Sequence, residues 1–140
     1  MKVLCVNATV DPVAGGGTAE RTFQLSRHLA QAGVDCNVLT LDLGLTEERV
    51  NRLRPAEVTA LHCTSERYYL FRLPERRIRD LVRTADVVHI MGHWTILNLL
   101  VCREARRQAK PYVVCPAGAL PIYGRSQTLK YLTHPKDSLW

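Results

Sequence analysis

The chain has 140 residues, which is the length of one domain with a single hydrophobic core. Hydrophobic residues make up 46% of it and charged residues 23%, a balance that excludes a disordered tail, a coiled coil and a collagen-like repeat. Its 19 basic and 13 acidic residues give a net charge of +6. This excess indicates an anionic partner, namely nucleic acid, a phosphate-bearing substrate or a membrane surface.

Three features of the sequence bear on the compartment of the protein. The longest uncharged stretch, 87–102, is interrupted by polar residues and does not read as a membrane span. The apolar run at the N-terminus is too short for a signal peptide. The five cysteines are scattered without a CxxC pair, which indicates neither a disulfide scaffold nor a zinc ribbon. We therefore expect a cytoplasmic protein with no metal and no cofactor.

The first forty residues have the pattern of one βαβ unit. An apolar run at 2–7 predicts a buried strand, and the glycine-rich segment 11–17 predicts a turn. Thr18 is the predicted N-cap of a helix that stops at Gly33. A second strand is predicted over 34–41. The inner face of the helix is predicted to contain Thr22, Leu25, Leu29 and Ala32.

The same alternation continues through the rest of the chain. Segment 65–71 is predicted to be a loop, and 116–140 contains turn formers with one weak helical piece at 126–132. Strands that alternate with helices predict a parallel sheet with helices on both faces. The predicted helices are 46–54, 75–84 and 95–109, the last with Ile96, Leu99, Leu100 and Arg103 in register, and the predicted strands are 58–63, 87–91 and 112–115.

Ligands of such sheets bind at the carboxyl ends of the strands. The segments that follow the predicted strands, and are therefore candidates for a binding site, are 7–17, 41–44, 92–95 and 116–126. Gly15, Gly16 and Gly17 precede a helix, so a phosphate could approach bare backbone N–H groups there. The alternative is a tight turn without a ligand. The loop is neither a Walker motif nor GxGxxG, because position 20 is Glu. Asp42, near the end of the second strand, keeps a dinucleotide-binding interpretation open.

Two histidines, His89 and His93, are four residues apart and invite comparison with a metal site. The first lies on a predicted strand and the second follows a glycine, so they do not share a helix face. This arrangement favours a histidine at the edge of the core and another in a loop.

The segment 67–83 is the densest basic region and also contains aromatic residues. Such a surface would suit an anionic lipid membrane or nucleic acid, or it is a solvated helix face that binds nothing specific. The arginines that share one stripe of the predicted helix, opposite Ile78 and Val82, are Arg76, Arg79 and Arg83.

Four stretches in this order resemble the N-terminal domain of GT-B glycosyltransferases, in particular the large retaining family four. They are the strand, glycine loop, helix and strand of 2–42, then ADVVHIMGHW at 85–94, KPYVV at 110–114, and PAGAL at 116–120 with Lys130 downstream. The resemblance implies an α/β fold, a Rossmann-like three-layer sandwich that forms one lobe of a GT-B enzyme, with strand order 3-2-1-4-5.

The same resemblance implies a function. Residues 1–140 would form the acceptor-side domain, and the domain that binds the nucleotide sugar would be absent from the chain, which alone would transfer no sugar. The enzyme would move a hexose, with retention, to a glycan or lipid-linked acceptor in cell-surface polysaccharide synthesis, in peripheral contact with the inner face of the membrane. A stand-alone nucleotide- or dinucleotide-binding module and a basic membrane- or nucleic-acid-binding domain remain as alternatives.

The resemblance also assigns site residues. Gly15, Gly16 and Gly17 would approach the donor phosphates and the acceptor. Ala117 and Met91 occupy the two positions where the family often has histidine, so no catalytic residue is assigned. The residues expected in the acceptor cleft are His89, His93, Trp94, Gly118, Arg125 and Lys130, and the surface expected to face the membrane is that of Arg76, Arg79 and Arg83.

Overall fold

Strands and helices alternate along the chain as the pattern predicts. A computed structural model describes residues 1–72, 74–92 and 95–117. The weak helical piece predicted at 126–132 lies outside these residues. In chain order the elements are β1 (Lys2–Val6), α1 (Pro12–Gln31), β2 (Asp35–Leu41), α2 (Glu47–Leu53), β3 (Glu57–Leu61), β4 (Cys63–Ser65), a 3₁₀ helix (Glu66–Tyr68), β5 (Leu70–Phe71), α3 (Glu75–Thr84), β6 (Val87–Met91), α4 (Ile96–Arg107) and β7 (Tyr112–Cys115).

The main sheet is parallel and has the order β3-β2-β1-β6-β7. Because β4 and β5 form a separate antiparallel pair, this is the predicted order 3-2-1-4-5. Cys5 on β1 lies between Val38 on β2 and His89 on β6. Strands β2 and β3 lie on one side of β1, whereas β6 and β7 lie on the other. At this switch point in the strand order, a crevice opens at the carboxyl ends of β1 and β6.

The sheet carries a hydrophobic layer on each face. On one face, Leu4 and Ile90 pack in a cluster with buried residues of α3 and α4. On the other, Val3 and Val38 pack with Phe23 of α1 and with Leu53 of α2. The fold is therefore a three-layer α/β sandwich of the Rossmann-like type, as predicted.

The start of α1 differs from the prediction that Thr18 is its N-cap. The helix begins at Pro12, and Asp11 caps it by accepting a hydrogen bond from Ala14 N at 2.8 Å. The helix is kinked at Gly16, whose φ of 54° and ψ of −139° are not helical. Thr18 instead donates its hydroxyl to the Gly15 carbonyl at 2.8 Å. At the other end, Gly33 has a φ of 84°, which agrees with the predicted stop.

The predicted inner faces of α1 and α4 are partly wrong. Thr22 is buried, but Leu25 and Leu29 are half-buried and Ala32 is exposed. On α4, Leu99 is 66% exposed and Asn98 is 2% exposed. On α4, the buried Asn98 donates its amide to the Met91 carbonyl at the end of β6. The buried residues are Ala19, Thr22, Phe23, Ser26 and Ala30 on α1, and Leu97, Asn98, Val101 and Ala105 on α4.

Segment 65–71, predicted to be a loop, is part of a hairpin made by β4, the 3₁₀ helix and β5. The predicted strand 58–63 ends at Leu61 because the hairpin begins at Cys63. The carboxylate of Asp42 holds this hairpin, accepting hydrogen bonds from Cys63 N and from the His62 ring, both at 2.8 Å.

Candidate functional site

A cleft of about 270 Å³ lies at the carboxyl ends of β1, β6 and β7. This is the edge of the sheet where ligands of open α/β folds bind. Its walls come from four separate parts of the chain. The residues on these walls include Gly15 and Thr18 of α1, Tyr69 of the hairpin, Thr95 and Asn98 at the start of α4, and Ala117 after β7.

Asn7 fixes α1 against the end of β1. Its side chain is buried, and its amide nitrogen donates to the Thr22 hydroxyl at 3.0 Å and to the Thr18 carbonyl at 3.2 Å. A buried amide with two such partners holds its neighbours in one position, since breaking the bonds leaves polar groups without water. The glycine segment therefore has a fixed place at the mouth of the cleft.

The three glycines have three different reasons to be glycine. A Cβ on Gly15 would lie 2.7 Å from the side chains of both Thr9 and Ala19, so close packing requires glycine there. Gly16 requires it because of its positive φ. A Cβ on Gly17 would meet nothing within 4 Å. Neither packing nor conformation explains Gly17, which leaves its backbone open to a ligand.

A second opening lies beside the cleft and is lined by Gly15, Gly17, Thr18, Arg21 and Ala117. Arg21 lies one helical turn after Gly17. Its Nη1 is 3.8 Å from Cys115 Sγ, so the guanidinium reaches across from α1 to the end of β7. The helical segment that follows the kink at Gly16 has its positive dipole end at this opening. This helix end and the Arg21 charge together make the opening suited to an anion. The signal in the sequence for this arrangement is the i, i+4 spacing of Gly17 and Arg21, which places them on one face of the helix.

The start of α4 forms the opposite wall. Thr95 caps the helix by accepting a hydrogen bond from Asn98 N at 3.2 Å. The Asn98 amide nitrogen donates to the Met91 carbonyl at 2.9 Å, and Gly92 follows with a φ of 75°. The end of β6 and the start of α4 are thereby held together, with the Thr95 hydroxyl at the cleft.

His89 does not reach this cleft. It is two residues before the end of β6 and lies beside Cys5, on the sheet face that α1 covers. His89 is half-buried, and its Nδ1 has no hydrogen-bond partner among the described residues. His89 is not among the described residues that line this cleft, and its place in an acceptor cleft stays a prediction.

Five other residues expected in the acceptor cleft lie outside the described part of the chain, so their places stay predictions. They are His93, Trp94, Gly118, Arg125 and Lys130. Ala117, at a position where the family often has histidine, does line the cleft and has a φ of 53°. Of the residues described, none form a cluster of three or more His, Cys, Asp or Glu arranged to hold a metal ion.

Asp42, which the dinucleotide interpretation would place at a ribose, already accepts hydrogen bonds from His62 and Cys63. The Cys63 N–H, and secondarily the His62 ring, lower the pKa of this carboxyl below its usual value. Both carboxylate oxygens are used in these two bonds. A ribose would have to compete with them, which weakens the dinucleotide interpretation. The predicted stretch 41–44 likewise packs on the loop after β1, where the Leu43 carbonyl accepts from the Thr9 hydroxyl at 3.0 Å.

The arginine stripe lies on the outer side of α3, opposite the buried Ile78 and Val82. Two of its members have acidic neighbours. Arg79 Nε is 3.7 Å from Glu104 Oε1, and Arg83 Nη2 is 2.8 Å from Asp80 Oδ1. Arg76 is exposed and has no salt bridge within residues 1–72, 74–92 and 95–117. No helix in this part of the chain is long and apolar enough to span a bilayer.

The comparisons with known proteins give one match to a family model. A search among curated proteins gives no match. Among solved structures, the C-terminal domain of a hydrogenase from Pyrococcus furiosus is similar, with 14% identity over 81% of this chain and 90% of that chain and a TM-score of 0.48. The model of the glycosyl transferase 4-like domain matches residues 16–137. Because this match spans most of the sequence, the chain belongs to the glycosyl transferase 4-like domain family.

Proposed function

We propose that this chain is the acceptor-side domain of a retaining glycosyltransferase. It would work with a second domain that binds the nucleotide sugar, and the acceptor would be a glycan or a lipid-linked glycan of a cell-surface polysaccharide. The observation that carries the proposal is the opening at Gly17, Thr18 and Arg21, which lies beside the cleft at the switch point of the sheet.

The chemistry of this opening suits the leaving group of sugar transfer. When a nucleotide sugar reacts, negative charge grows on the diphosphate as the bond to the sugar breaks. Backbone N–H groups and a guanidinium that are already in place stabilise such charge without rearranging. Gly17 exposes its backbone and Arg21 supplies the cation. Met91 and Ala117 have no titratable side chain, so the contribution proposed for this domain is positioning and charge stabilisation rather than proton transfer.

The test is the binding of inorganic pyrophosphate, the charged part of the leaving group, followed by ³¹P NMR. Arg21→Gln should weaken binding about tenfold, since a hydrogen bond to a charged group is lost. The matched control is Arg27→Gln, also on α1 but not at this opening. Equal affinities for the two variants would contradict the proposal, as would efficient sugar transfer by this chain without any second domain.

Contact with the inner face of an anionic membrane is a further part of the proposal. Arg76, Arg79 and Arg83 on α3 are exposed, as are Arg103, Arg106 and Arg107 on α4. Leu99, 66% exposed, belongs to the same helix as the second group. Arginines beside an exposed apolar side chain suit an anionic lipid surface. A lipid-linked acceptor would be presented at such a surface.

Vesicles that contain phosphatidylserine test the membrane contact by cosedimentation. Replacing Arg76, Arg79 and Arg83 together by Gln should abolish binding at low salt, because each cation near the surface contributes about 1 kcal/mol. The control replaces Arg27, Arg52 and Arg54, which removes the same charge from the α1 and α2 side. Loss of binding by both triple variants alike would indicate an effect of net charge and count against a defined surface.

A further inference from the structure

Tyr69 has a backbone conformation that tyrosine rarely adopts. Its φ of 50° and ψ of 39° are left-handed, where glycine or asparagine is the usual residue. The residue ends the 3₁₀ helix, and its N–H donates to the Glu66 carbonyl at 3.4 Å. A tyrosine in this conformation costs stability that a glycine would not. The side chain therefore needs a reason to be there.

The side chain of Tyr69 lies in two environments. It is half-buried and packs against the hydrophobic cluster under α3 and α4, as Cys63 and Phe71 of the same hairpin also do. It also lines the cleft, as Thr18 and Ala117 do. The hairpin thus folds back over the ends of the strands and brings one aromatic ring to the site.

The neighbouring Tyr68 shows that this placement is specific. Its side chain is 58% exposed, and the Arg67 guanidinium lies 5.5 Å from its ring centre. Two tyrosines are adjacent in sequence, and the left-handed turn directs only the second into the cleft. Tyr68 therefore serves as a matched control in the same hairpin.

The polar groups that line this cleft are neutral and retain some hydrogen-bonding capacity. The Thr18 hydroxyl donates to the Gly15 carbonyl and can still accept. The Thr95 hydroxyl accepts from Asn98 N and can still donate. The Oδ1 atom of Asn98, which also lines the cleft, has no hydrogen-bond partner among the described residues. An aromatic face with free acceptors and a free donor fits a neutral ring that has C–H groups on its face and hydroxyls on its edge.

We propose that Tyr69 is a binding platform for a pyranose ring of the acceptor. The apolar face of the sugar packs on the phenol ring, and its hydroxyls bond to Thr18 and Thr95. The inference rests on the proposed function and adds to it the class of acceptor group, an uncharged hexopyranoside. The negative face of an aromatic ring attracts the polarised C–H groups of a sugar, and the contact removes apolar area from water.

The test uses methyl hexopyranosides of the gluco, galacto, manno and N-acetylglucosamine series as probes, with the ¹⁵N-labelled protein in solution. At least one should move the Tyr69 ring signals and the amide signals of Thr18 and Thr95. Tyr69→Asn should weaken its binding about fivefold to tenfold, since asparagine accepts the left-handed turn but lacks the ring. Tyr69→Phe should retain the ring contact, and Tyr68→Asn should bind as the unaltered protein does.

The outcomes separate this inference from the proposed function. If a glycoside moves the Thr18 amide while Tyr69→Asn binds it equally well, the platform is overturned and the glycosyltransferase site stands. If no glycoside perturbs the Tyr69 ring of the unaltered protein, the platform is overturned without recourse to any variant. Pyrophosphate binding at Gly17 is measured independently and would in either case still support the proposed function.

Discussion

The side-chain amide of Asn7 donates a hydrogen bond to the Thr22 hydroxyl at 3.0 Å, in the interior of the protein. This bond joins the first residue after β1 to the first fully buried polar side chain of α1. The same amide also donates to the Thr18 carbonyl. The position of the glycine segment thus depends on one asparagine at the floor of the cleft.

Replacing Asn7 by Ala should lower the free energy of unfolding by about 1–3 kcal/mol, because buried polar partners lose their bonds. Urea unfolding followed by circular dichroism measures the change. Asn51→Ala, on the exposed side of α2, is the control and should change stability by less than about 0.5 kcal/mol. Similar losses in both variants would mean that Asn7 does not hold α1.

Alanine substitutions at Gly15, Gly16 and Gly17 should show which of the three glycines the fold requires. Gly15→Ala should destabilise because of the 2.7 Å contacts with Thr9 and Ala19, and Gly16→Ala by about 1–3 kcal/mol because of its positive φ. Gly17→Ala has open space and should keep or raise stability by up to about 1 kcal/mol. Thermal unfolding of the three variants gives the order. A large loss for Gly17→Ala would show that its glycine serves the fold.

Arg49 connects α2 to α1 and to the loop after β1. Its side chain is 12% exposed, Nη2 is 2.6 Å from Glu20 Oε2, and Nε donates to the Val10 carbonyl at 3.1 Å. The guanidinium also lies 3.6 Å from the centre of the Phe23 ring. Arg49→Met should cost about 1–3 kcal/mol of unfolding free energy, because the carbonyl and the carboxylate lose a charged donor.

The control for Arg49 is Arg52→Met in the same helix. Arg52 is 55% exposed and 5.6 Å from the same ring centre, with Glu48 at 4.0 Å. Its loss should be within about 0.5 kcal/mol, as for most exposed ion pairs. Urea midpoints of the two variants that coincide would contradict the role of Arg49.

Stability should decrease in acid partly because of Asp42. Its pKa is lowered by the Cys63 N–H and the His62 ring, so the folded state favours the carboxylate. This stability is present above the ordinary pKa of 3.8 and is lost as the pH falls through the lower pKa of the folded state. Asp42→Asn should therefore show a smaller decrease in urea midpoint below about pH 4. Glu48→Gln, at a carboxylate 83% exposed, is the comparison and should keep the full decrease.

The parallel sheet and most element bounds could be predicted because each is encoded locally. Helix α3 covers the predicted 75–84 and β6 the predicted 87–91, since apolar periodicity and a turn residue at each end determine both. The inner faces of α1 and α4 could not be predicted in this way. On α1, Phe23 is buried whereas the predicted Leu25 and Leu29 are only half-buried. On α4, Asn98 is polar yet buried, because its amide donates to the Met91 carbonyl.

In the candidate site, too, some residues could be predicted from the local sequence, whereas others depend on residues distant in sequence. The place of Gly15 and Gly17 at the end of β1 follows from a strand, a glycine run and a helix. The contribution of Tyr69 depends on a hairpin that Asp42, the residue after β2, anchors by a hydrogen bond, and no local pattern indicates that anchor. His89 lies beside Cys5 on a face of the sheet, because it is two residues before the end of β6.

The central claim is that ligands bind at the carboxyl ends of β1, β6 and β7. The most direct measurement is a titration of the ¹⁵N-labelled protein with pyrophosphate and a methyl hexopyranoside, followed by the amide signals of each residue. We expect shifts at Gly17 and Thr18 with pyrophosphate, and at Tyr69 and Thr95 with the glycoside. Shifts confined to Arg79, Arg103 and Arg107 on the surface of α3 and α4, or the absence of any shift, would contradict it.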